Sequence, residues 1–213
     1  MKVSVIMASH LGKIIVDRHD MDKKFIRAVN SFLSQDYPNK ELIIVSDGCS
    51  KTNKLFEDNF SKYDNIKIYV SPKQIPYAGG IRQIGLKLAD GDIISYLDND
   101  DVIGKTHIST IVSQFDINQF DMVYYDDFLV LTPDFKKFQR RNVETRWASI
   151  GTSTISHVNF YKYTGRLQKE VQWHHGYGHD YMYMSKLIMN GARFKKLEKS
   201  PQYLVAHYGG ADF

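Results

Sequence analysis

The sequence has 213 residues, of which 43% are hydrophobic and 24% charged, and these values are typical of one globular domain with a sizeable core. The formal net charge of +4 suits a phosphate-bearing ligand, but no run of basic residues is long enough to indicate a nucleic-acid partner. No apolar run approaches the roughly eighteen residues of a membrane span, and the N-terminal apolar stretch is too short and strand-like for a secretory signal. The single cysteine, Cys49, excludes an intrachain disulfide and fits a reducing compartment. We therefore predict a cytoplasmic protein.

Strand and helix patterns alternate through the first hundred residues. Apolar, β-branched runs predict strands at residues 3–9, 41–46, 66–70 and 93–97. Between them, apolar residues recur at helical spacing, which predicts helices at residues 21–35, 51–63 and 76–89. This alternation favours an α/β fold with a mostly parallel sheet and helices on both faces.

The second half of the chain is less regular. It contains helix patterns at residues 104–115 and 181–190, and strand patterns at residues 122–126, 128–131 and 205–208. Residues 134–163 alternate irregularly. We therefore predict a single domain, residues 1–213, with a ligand-binding half at about 1–101 and a mixed half at about 102–213. The end of the chain carries no helix-ending or tail signal, which favours one domain of a longer protein.

Carboxylates cluster directly after the strand predicted at residues 93–97. Asp98, Asp100 and Asp101 emerge where this strand ends, and that edge of an open α/β sheet is where ligands bind. Carboxylates this close repel one another, and a divalent cation with oxygen ligands relieves the repulsion. The cluster favours a metal site that attracts phosphate, while a polar turn after a strand is the alternative.

Four motifs in order connect the chain to a known family. They are the strand at residues 3–9 and the segments 43–48, 80–85 and 92–101. In this order, at these strand ends, they resemble the family 2 inverting glycosyltransferases of the GT-A fold, over about residues 3–110. The resemblance implies a metal-dependent enzyme that moves a sugar from a UDP-sugar to a hydroxyl of a glycan or glycoprotein. The chain as a whole also resembles the transferase domain of chlorovirus proteins that glycosylate the capsid.

The resemblance implies a nucleoside site at the strand tips. Asp47 matches the carboxylate that accepts a hydrogen bond from uracil, and capping of the following helix is its alternative. Ala8 and Ser9 would lie along the nucleoside, although the family often has a hydroxyl residue in place of Ala8. Asp98 and Asn99 would lie against the ribose.

The diphosphate and metal positions follow from the same resemblance. Gly79 and Gly80 would let the backbone approach the ligand, and Arg82 would reach the diphosphate. Asp100 matches the metal-binding end of the family's Asp-x-Asp motif, which holds Mn²⁺ or Mg²⁺. His207 matches a further metal ligand of some relatives, and a structural histidine is the alternative.

A general base and an acceptor wall complete the implied site. Asp180 matches the family's base at the start of a late helix, where His179 replaces the usual glutamate. Capping of that helix is the alternative for Asp180. Trp173, Tyr177 and His179 would form a wall that stacks on acceptor sugar rings, unless these aromatic residues belong to the core.

Other protein classes remain as alternatives. The missing glutamate before Asp180 is compatible with a catalytically silent domain that binds a nucleotide sugar or a glycan. A nucleotidyltransferase or a Rossmann dehydrogenase would need a glycine-rich phosphate loop after the first strand. Gly12 is the only glycine between residues 9 and 16, so both classes are disfavoured.

Overall fold

A computed structural model of the chain describes residues 1–12, 20–74 and 77–206. The strands are β1 Val3–Ser9, β2 Lys40–Asp47, β3 Ile66–Ser71, β4 Ile93–Tyr96, β5 Val102–Ile103, β6 Met122–Tyr124, β7 Asp127–Val130, β8 Phe138–Arg141, β9 Ile155–Val158, β10 Phe194–Lys196 and β11 Tyr203–Val205. The α-helices are α1 Met21–Leu33, α2 Ser50–Asn59, α3 Gly79–Leu88, α4 His107–Gln114 and α5 His179–Met189. None of the helices described is long and apolar enough to cross a membrane.

The central sheet has seven strands in the order β10-β6-β9-β4-β1-β2-β3. Strands β1 to β4 are mutually parallel, and β10 runs parallel to β6. Only β9 is antiparallel to its neighbours within this sheet as described. The predicted α/β fold with a mostly parallel central sheet is therefore confirmed.

Both faces of the sheet are covered, because successive residues of a buried strand point to opposite sides. Along β1, Val5 and Met7 join the core on the α1 side, which also contains Phe25. Ile6 joins the core on the other side, with Tyr183 of α5. All of these side chains are at most 1% exposed, so β1 lies at the centre of the fold.

The irregular stretch predicted at residues 134–163 contains a central strand. Strand β9 is fully buried and pairs with both β4 and β6. Its sequence, Ile-Ser-His-Val, places two adjacent polar residues in this buried strand, which is possible because Ser156 and His157 have partners inside the protein. His157 lies 2.7 Å from the Tyr96 hydroxyl, and Ser156 donates to Ser95 at 3.2 Å.

A second, four-stranded sheet has the order β5-β11-β7-β8. Strand β11, Tyr203–Val205, shares only Val205 with the strand predicted at residues 205–208; Ala206 is not in a strand, and residues 207–208 lie outside the described residues. Strand β11 pairs with β5, directly after the acidic cluster, and with β7. The small sheet therefore attaches the second half of the chain to the edge where β4 ends.

Candidate active site

Strands β1, β2 and β4 end at one edge of the large sheet, and their tips line a cavity of about 470 Å³. Ala8 and Ser9 come from β1, Asp47 comes from β2, and Asp98 and Asn99 follow β4. The structure thus brings the five residues predicted along the nucleoside and ribose to one cavity. They meet because neighbouring parallel strands end at the same edge.

Asp47 faces the cavity region from a nearly buried position, since only 7% of its surface is exposed. Its carboxylate forms an ion pair with Lys73 and accepts a hydrogen bond from the Gln74 backbone N–H at 2.6 Å. It does not cap helix α2, whose N-cap residue is Cys49 and which lacks a side-chain cap. The capping alternative is therefore wrong, and Lys73 is a cavity residue that the sequence analysis did not identify.

Ser9 and Asn99 are held together by hydrogen bonds within the protein. The Asn99 amide donates to Ser9 Oγ at 3.2 Å, and Ser9 Oγ lies 3.1 Å from the Thr52 hydroxyl. These three side chains are all at most 8% exposed. Ala8 also lines the cavity, but it offers only its backbone and a methyl group there.

The glycines at the start of α3 serve packing. A Cβ added to Gly79 would lie 1.9 Å from the His174 carbonyl oxygen, and one added to Gly80 would lie 2.9 Å from His175 Nδ1. Neither glycine lines the cavity. The missing side chain of Gly79 thus lets α3 approach the segment at residues 174–175, and its ligand contact stays a prediction.

Arg82 links the two halves of the cavity. Its guanidinium donates to Asp98 Oδ1 at 2.6 Å and lies 3.4 Å from Asp180 Oδ1, while the side chain is only 5% exposed. Burial alone would lower the pKa of Arg82, but the two carboxylates outweigh it and raise the pKa. A charged guanidinium at this place is able to bind a diphosphate.

Asp180 is the second residue of α5, and it is bound on several sides. Its Oδ1 accepts a hydrogen bond from the Thr152 hydroxyl at 2.9 Å and lies 2.5 Å from His179 Nδ1. Burial would raise the pKa of Asp180, but the Arg82 charge and these hydrogen bonds outweigh it and lower the pKa to about 2. Helix α5 has Gly178 as its N-cap residue and no side-chain cap, so the capping alternative for Asp180 is wrong.

The acidic cluster after β4 combines different environments. Asp98 and Asp100 line the cavity and are partly exposed, whereas Asp101 is 5% exposed and accepts a hydrogen bond from the Ala206 N–H at 2.8 Å. Burial, and then repulsion from Asp100 and Asp98, raise the pKa of Asp101 well above its usual value. This dense negative charge is what a cation would offset.

The carboxylates at the cavity wall fit Mg²⁺ or Mn²⁺ when phosphate oxygens of a substrate supply further ligands. Within residues 1–12, 20–74 and 77–206, no three His, Cys, Asp or Glu side chains form a metal-binding group. Mg²⁺ is usually held by one or two carboxylates together with substrate phosphates and water. Asp100, with Asp98 beside it, supplies carboxylate oxygens of this kind at the cavity wall. The predicted ligand His207 lies outside the described residues.

The predicted aromatic wall separates into a core residue and surface residues. Trp173 is 1% exposed and stacks on Tyr183 with ring centroids 4.2 Å apart, so its predicted role in an acceptor wall is wrong and the core alternative is correct. Tyr177 is 74% exposed, outside the strand-tip cavity. His179 lines that cavity beside Asp180.

Arg141 is a further cavity residue that the sequence analysis did not identify. It lies opposite Asp127 in the β7–β8 hairpin, and its guanidinium binds both oxygens of that buried carboxylate. Ser153 donates to the same carboxylate at 2.7 Å. The sequence signal for this contact is the pair Asp126-Asp127 followed, after a turn, by the pair Arg140-Arg141. Such a spacing places opposite charges across an antiparallel pair of strands.

Comparison with known proteins agrees with this architecture. A family model described as Glycosyl transferase family 2 matches residues 14–190. Glycosyltransferase GlyG of Streptococcus pneumoniae is 27% identical over 121 residues, which cover 55% of this chain and 40% of that protein. An uncharacterized glycosyltransferase of Haemophilus influenzae is 35% identical over 97 residues, covering 45% of this chain and 38% of that protein. The chain therefore spans well under half of these relatives.

Solved structures show the same fold. The crystal structure of S. aureus TarS 1-349 matches with a TM-score of 0.72 and 19% identity, over 97% of this chain and 60% of that one. The structure of the same TarS fragment in complex with UDP-GlcNAc matches with a TM-score of 0.71 and 19% identity, over 99% and 60% of the two chains. The predicted GT-A fold is confirmed.

Proposed function

This chain belongs to glycosyl transferase family 2 and is a glycosyltransferase, and we propose that it moves a sugar from a UDP-sugar to a hydroxyl of a glycan acceptor, with inversion. One observation carries the proposal: a single buried guanidinium, Arg82, contacts both a strand-tip carboxylate, Asp98, and a helix-start carboxylate, Asp180. Donor-binding groups and a candidate base therefore line one cavity.

The proposed donor lies along the strand tips. Asp47 accepts a hydrogen bond from the uracil N–H, and Ser9 and Asn99 form the floor beneath the nucleoside. Arg82 offsets the charge of the diphosphate. The complex of TarS with UDP-GlcNAc supports a UDP-sugar as donor, because that protein has the same fold.

We propose that Asp100, with Asp98 beside it, holds Mn²⁺ or Mg²⁺ together with the diphosphate. When bound there, the ion would supply Lewis-acid stabilisation of the negative charge on the leaving diphosphate. His207 as a further ligand stays a prediction, since it lies outside the described residues.

Asp180 is the proposed general base. Its carboxylate accepts the proton of the acceptor hydroxyl while the hydroxyl oxygen forms a bond to the anomeric carbon. The bond between that carbon and the diphosphate oxygen breaks at the same time, and its electron pair leaves with UDP. Attack from the face opposite the leaving group inverts the anomeric configuration. Thr152 and His179 hold Asp180 in place through their hydrogen bonds.

The acceptor, further domains of a longer chain, and a cytoplasmic location stay predictions. The aligned part of the chain spans about 40% of GlyG, so the acceptor of the whole protein is not given by this likeness. The resemblance to chlorovirus capsid-glycosylating proteins also stays a prediction, because the relatives described above are bacterial.

Donor binding is tested by thermal unfolding with UDP, GDP, dTDP and several UDP-sugars, each with and without Mn²⁺. Ligand that binds the folded state raises the unfolding temperature by mass action. We expect UDP compounds to raise it most, and Mn²⁺ to increase that effect in the wild type but not in Asp100→Asn. An equal response of Asp100→Asn to Mn²⁺ would contradict the metal proposal.

The base is tested by Asp180→Asn, with Asp22→Asn as matched control. Both aspartates are the second residue of a helix, but Asp22 begins α1 and does not line the cavity. We expect Asp180→Asn to lower kcat by about 10²–10⁴ while the donor KM changes little, because a base acts in the chemical step. Donor binding without any transfer by the wild type would instead favour the silent binding domain.

A further inference from the structure

A second depression, of about 340 Å³, opens beside Asp180. We name it the aromatic groove after four side chains in its lining: Tyr77, Trp147, Tyr177 and Tyr181. The groove is continuous with the strand-tip cavity, because Tyr77, His179 and Asp180 line both. A ligand in the groove therefore lies next to the proposed base.

The rings of the aromatic groove contact each other at edges and angles. The centroid of Trp147 lies 5.3 Å from that of Tyr181, at a nearly perpendicular 79°, and 6.0 Å from that of Tyr177. Trp147 nevertheless remains 48% exposed and Tyr177 remains 74% exposed. The groove thus presents aromatic surface to solvent, whereas Trp173, the other tryptophan, is enclosed in the core.

The backbone is arranged to hold Trp147 at this place. A Cβ on Gly178 would lie 2.2 Å from Trp147 Cη2, so only glycine lets the indole pack against the start of α5. Gly178 has a φ of +70°, and Ala148, which follows Trp147, has a φ of +60° that is unfavourable for a residue with a side chain. Such strain persists where the surrounding structure enforces it, often at functional sites.

We propose that the aromatic groove binds a pyranose ring of the acceptor, and that Trp147 is its stacking platform and a specificity-determining residue. This inference rests on the proposed function. A groove volume near the lower end of the roughly 300–1,000 Å³ typical of small-molecule sites suits one or two sugar rings. Tryptophan and tyrosine offer a flat apolar surface for the ring and a polar edge for its hydroxyls.

The charges of the groove favour a neutral acceptor. None of the described residues that line it is Lys or Arg, and Arg146, next to Trp147, forms an ion pair with Glu144 at 2.7 Å. Asp180 adds negative charge at the boundary with the cavity. A polyanionic acceptor, of the poly(ribitol-phosphate) kind named for TarS, would find no cation of its own in the described lining, because Arg82 of the adjoining cavity is already paired with Asp98 and Asp180.

Tryptophan fluorescence tests binding in the groove without requiring turnover. The chain has two tryptophans, and Trp173 is buried, so a sugar that stacks in the groove changes the emission of Trp147. The probes are methyl pyranosides of gluco, galacto, manno and 6-deoxy configuration. We expect at least one to change the emission of the wild type, and Trp147→Phe to abolish this change. A panel without effect, or an equal change in Trp147→Phe, would overturn the inference.

Kinetics then separate acceptor binding from donor binding. With the donor found by thermal unfolding and the pyranoside found by fluorescence, Trp147→Ala should raise the ratio of acceptor KM to donor KM by about tenfold, and Trp147→Phe by less. Tyr177→Ala, at a highly exposed position, provides a second variant that leaves the core intact. The control is Phe194→Ala, which removes a 40% exposed ring on β10 at the far edge of the sheet.

The outcomes distinguish this inference from the proposed function. An unchanged KM ratio in both Trp147→Ala and Tyr177→Ala, with active wild type, would overturn the groove alone. A wild type that binds pyranosides at Trp147 but neither transfers nor hydrolyses any donor would contradict the proposed transferase activity and leave the groove as a glycan site. A clear preference for phosphate-bearing acceptors would contradict the neutral-acceptor inference.

Discussion

Replacing Arg82, the cation shared by Asp98 and Asp180, should lower the free energy of unfolding, and the size of this loss should depend on pH. Arg82→Met keeps the length and apolar stem of the side chain but leaves Asp98 and Asp180 without their charge partner. Breaking a buried ion pair costs about 3–5 kcal/mol. Because the two carboxylate side chains are 34% and 29% exposed, water offsets part of this loss, and we expect about 3 kcal/mol at pH 7.

The sign of the pH dependence follows from Asp180. In the wild type its pKa is about 2, below the ordinary value of 3.8, so its ionised form stabilises the fold at neutral pH and loses this contribution as the pH falls from about 3.8 to about 2. Arg82 is the largest of the causes that oppose burial, so in its absence we expect burial to raise the pKa of Asp180 above 3.8. Protonation of Asp180 then removes an unpaired charge from the Arg82→Met variant. The difference in unfolding free energy between wild type and variant should therefore become smaller from pH 6 to pH 4.

Urea unfolding of both proteins at several pH values measures this difference. The control is Arg146→Met, which breaks an ion pair between side chains that are 70% and 56% exposed and should cost less than about 1 kcal/mol. An Arg82→Met loss as small as that of the control would refute the reasoning, as would a loss that stays constant from pH 6 to pH 4.

Three further predictions concern the framework of the site. Gly79→Ala should destabilise the fold by about 1–3 kcal/mol in urea unfolding, because the new Cβ meets the His174 carbonyl oxygen, and a neutral or stabilising result would contradict this packing. Burial lowers the pKa of His107 from 6.5 to about 3, so the free energy of unfolding decreases as the pH falls below 6.5. His107→Leu should reduce the slope of unfolding free energy against pH, between about pH 6.5 and 5, by up to about 1.4 kcal/mol per pH unit. An unchanged slope would contradict this prediction. Asp127→Asn should cost about 2 kcal/mol in thermal or urea unfolding, since it weakens the paired hydrogen bonds to partly exposed Arg141, and no loss would show that the pair contributes nothing.

The sheet edge could be predicted from sequence because it depends on local patterns and one general rule. Apolar runs define β1, β2 and β4, and parallel strands bring their carboxyl ends to one edge. Asp47, Asp98 and Asn99 directly follow or end these runs, so their convergence required no knowledge of long-range contacts. The structure adds the partners that hold them, such as Lys73 for Asp47.

The acceptor side could not be predicted to the same extent. Residues 147–150 of this side precede β9, a fully buried strand whose sequence contains two polar residues and was not recognisable as a central strand. Composition alone does not separate a tryptophan that packs in the core from one at the surface, so the sequence predicts for Trp173 the stacking role that we propose for Trp147. Likewise, Arg141 reaches the cavity only through the register of the β7–β8 hairpin, which pairs it with Asp127.

The bridge from Arg82 to two carboxylates makes the affinity of Asp180 for protons sensitive to what else occupies the cavity. A diphosphate beside Arg82 would compete with Asp180 for the guanidinium, and this competition would weaken the ion pair between Arg82 and Asp180. On the proposed function, the carboxylate would thus become more basic when a donor is loaded. Without a donor, Asp180 would be a weak base toward the acceptor hydroxyl, and donor binding would prepare it to accept the proton of that hydroxyl.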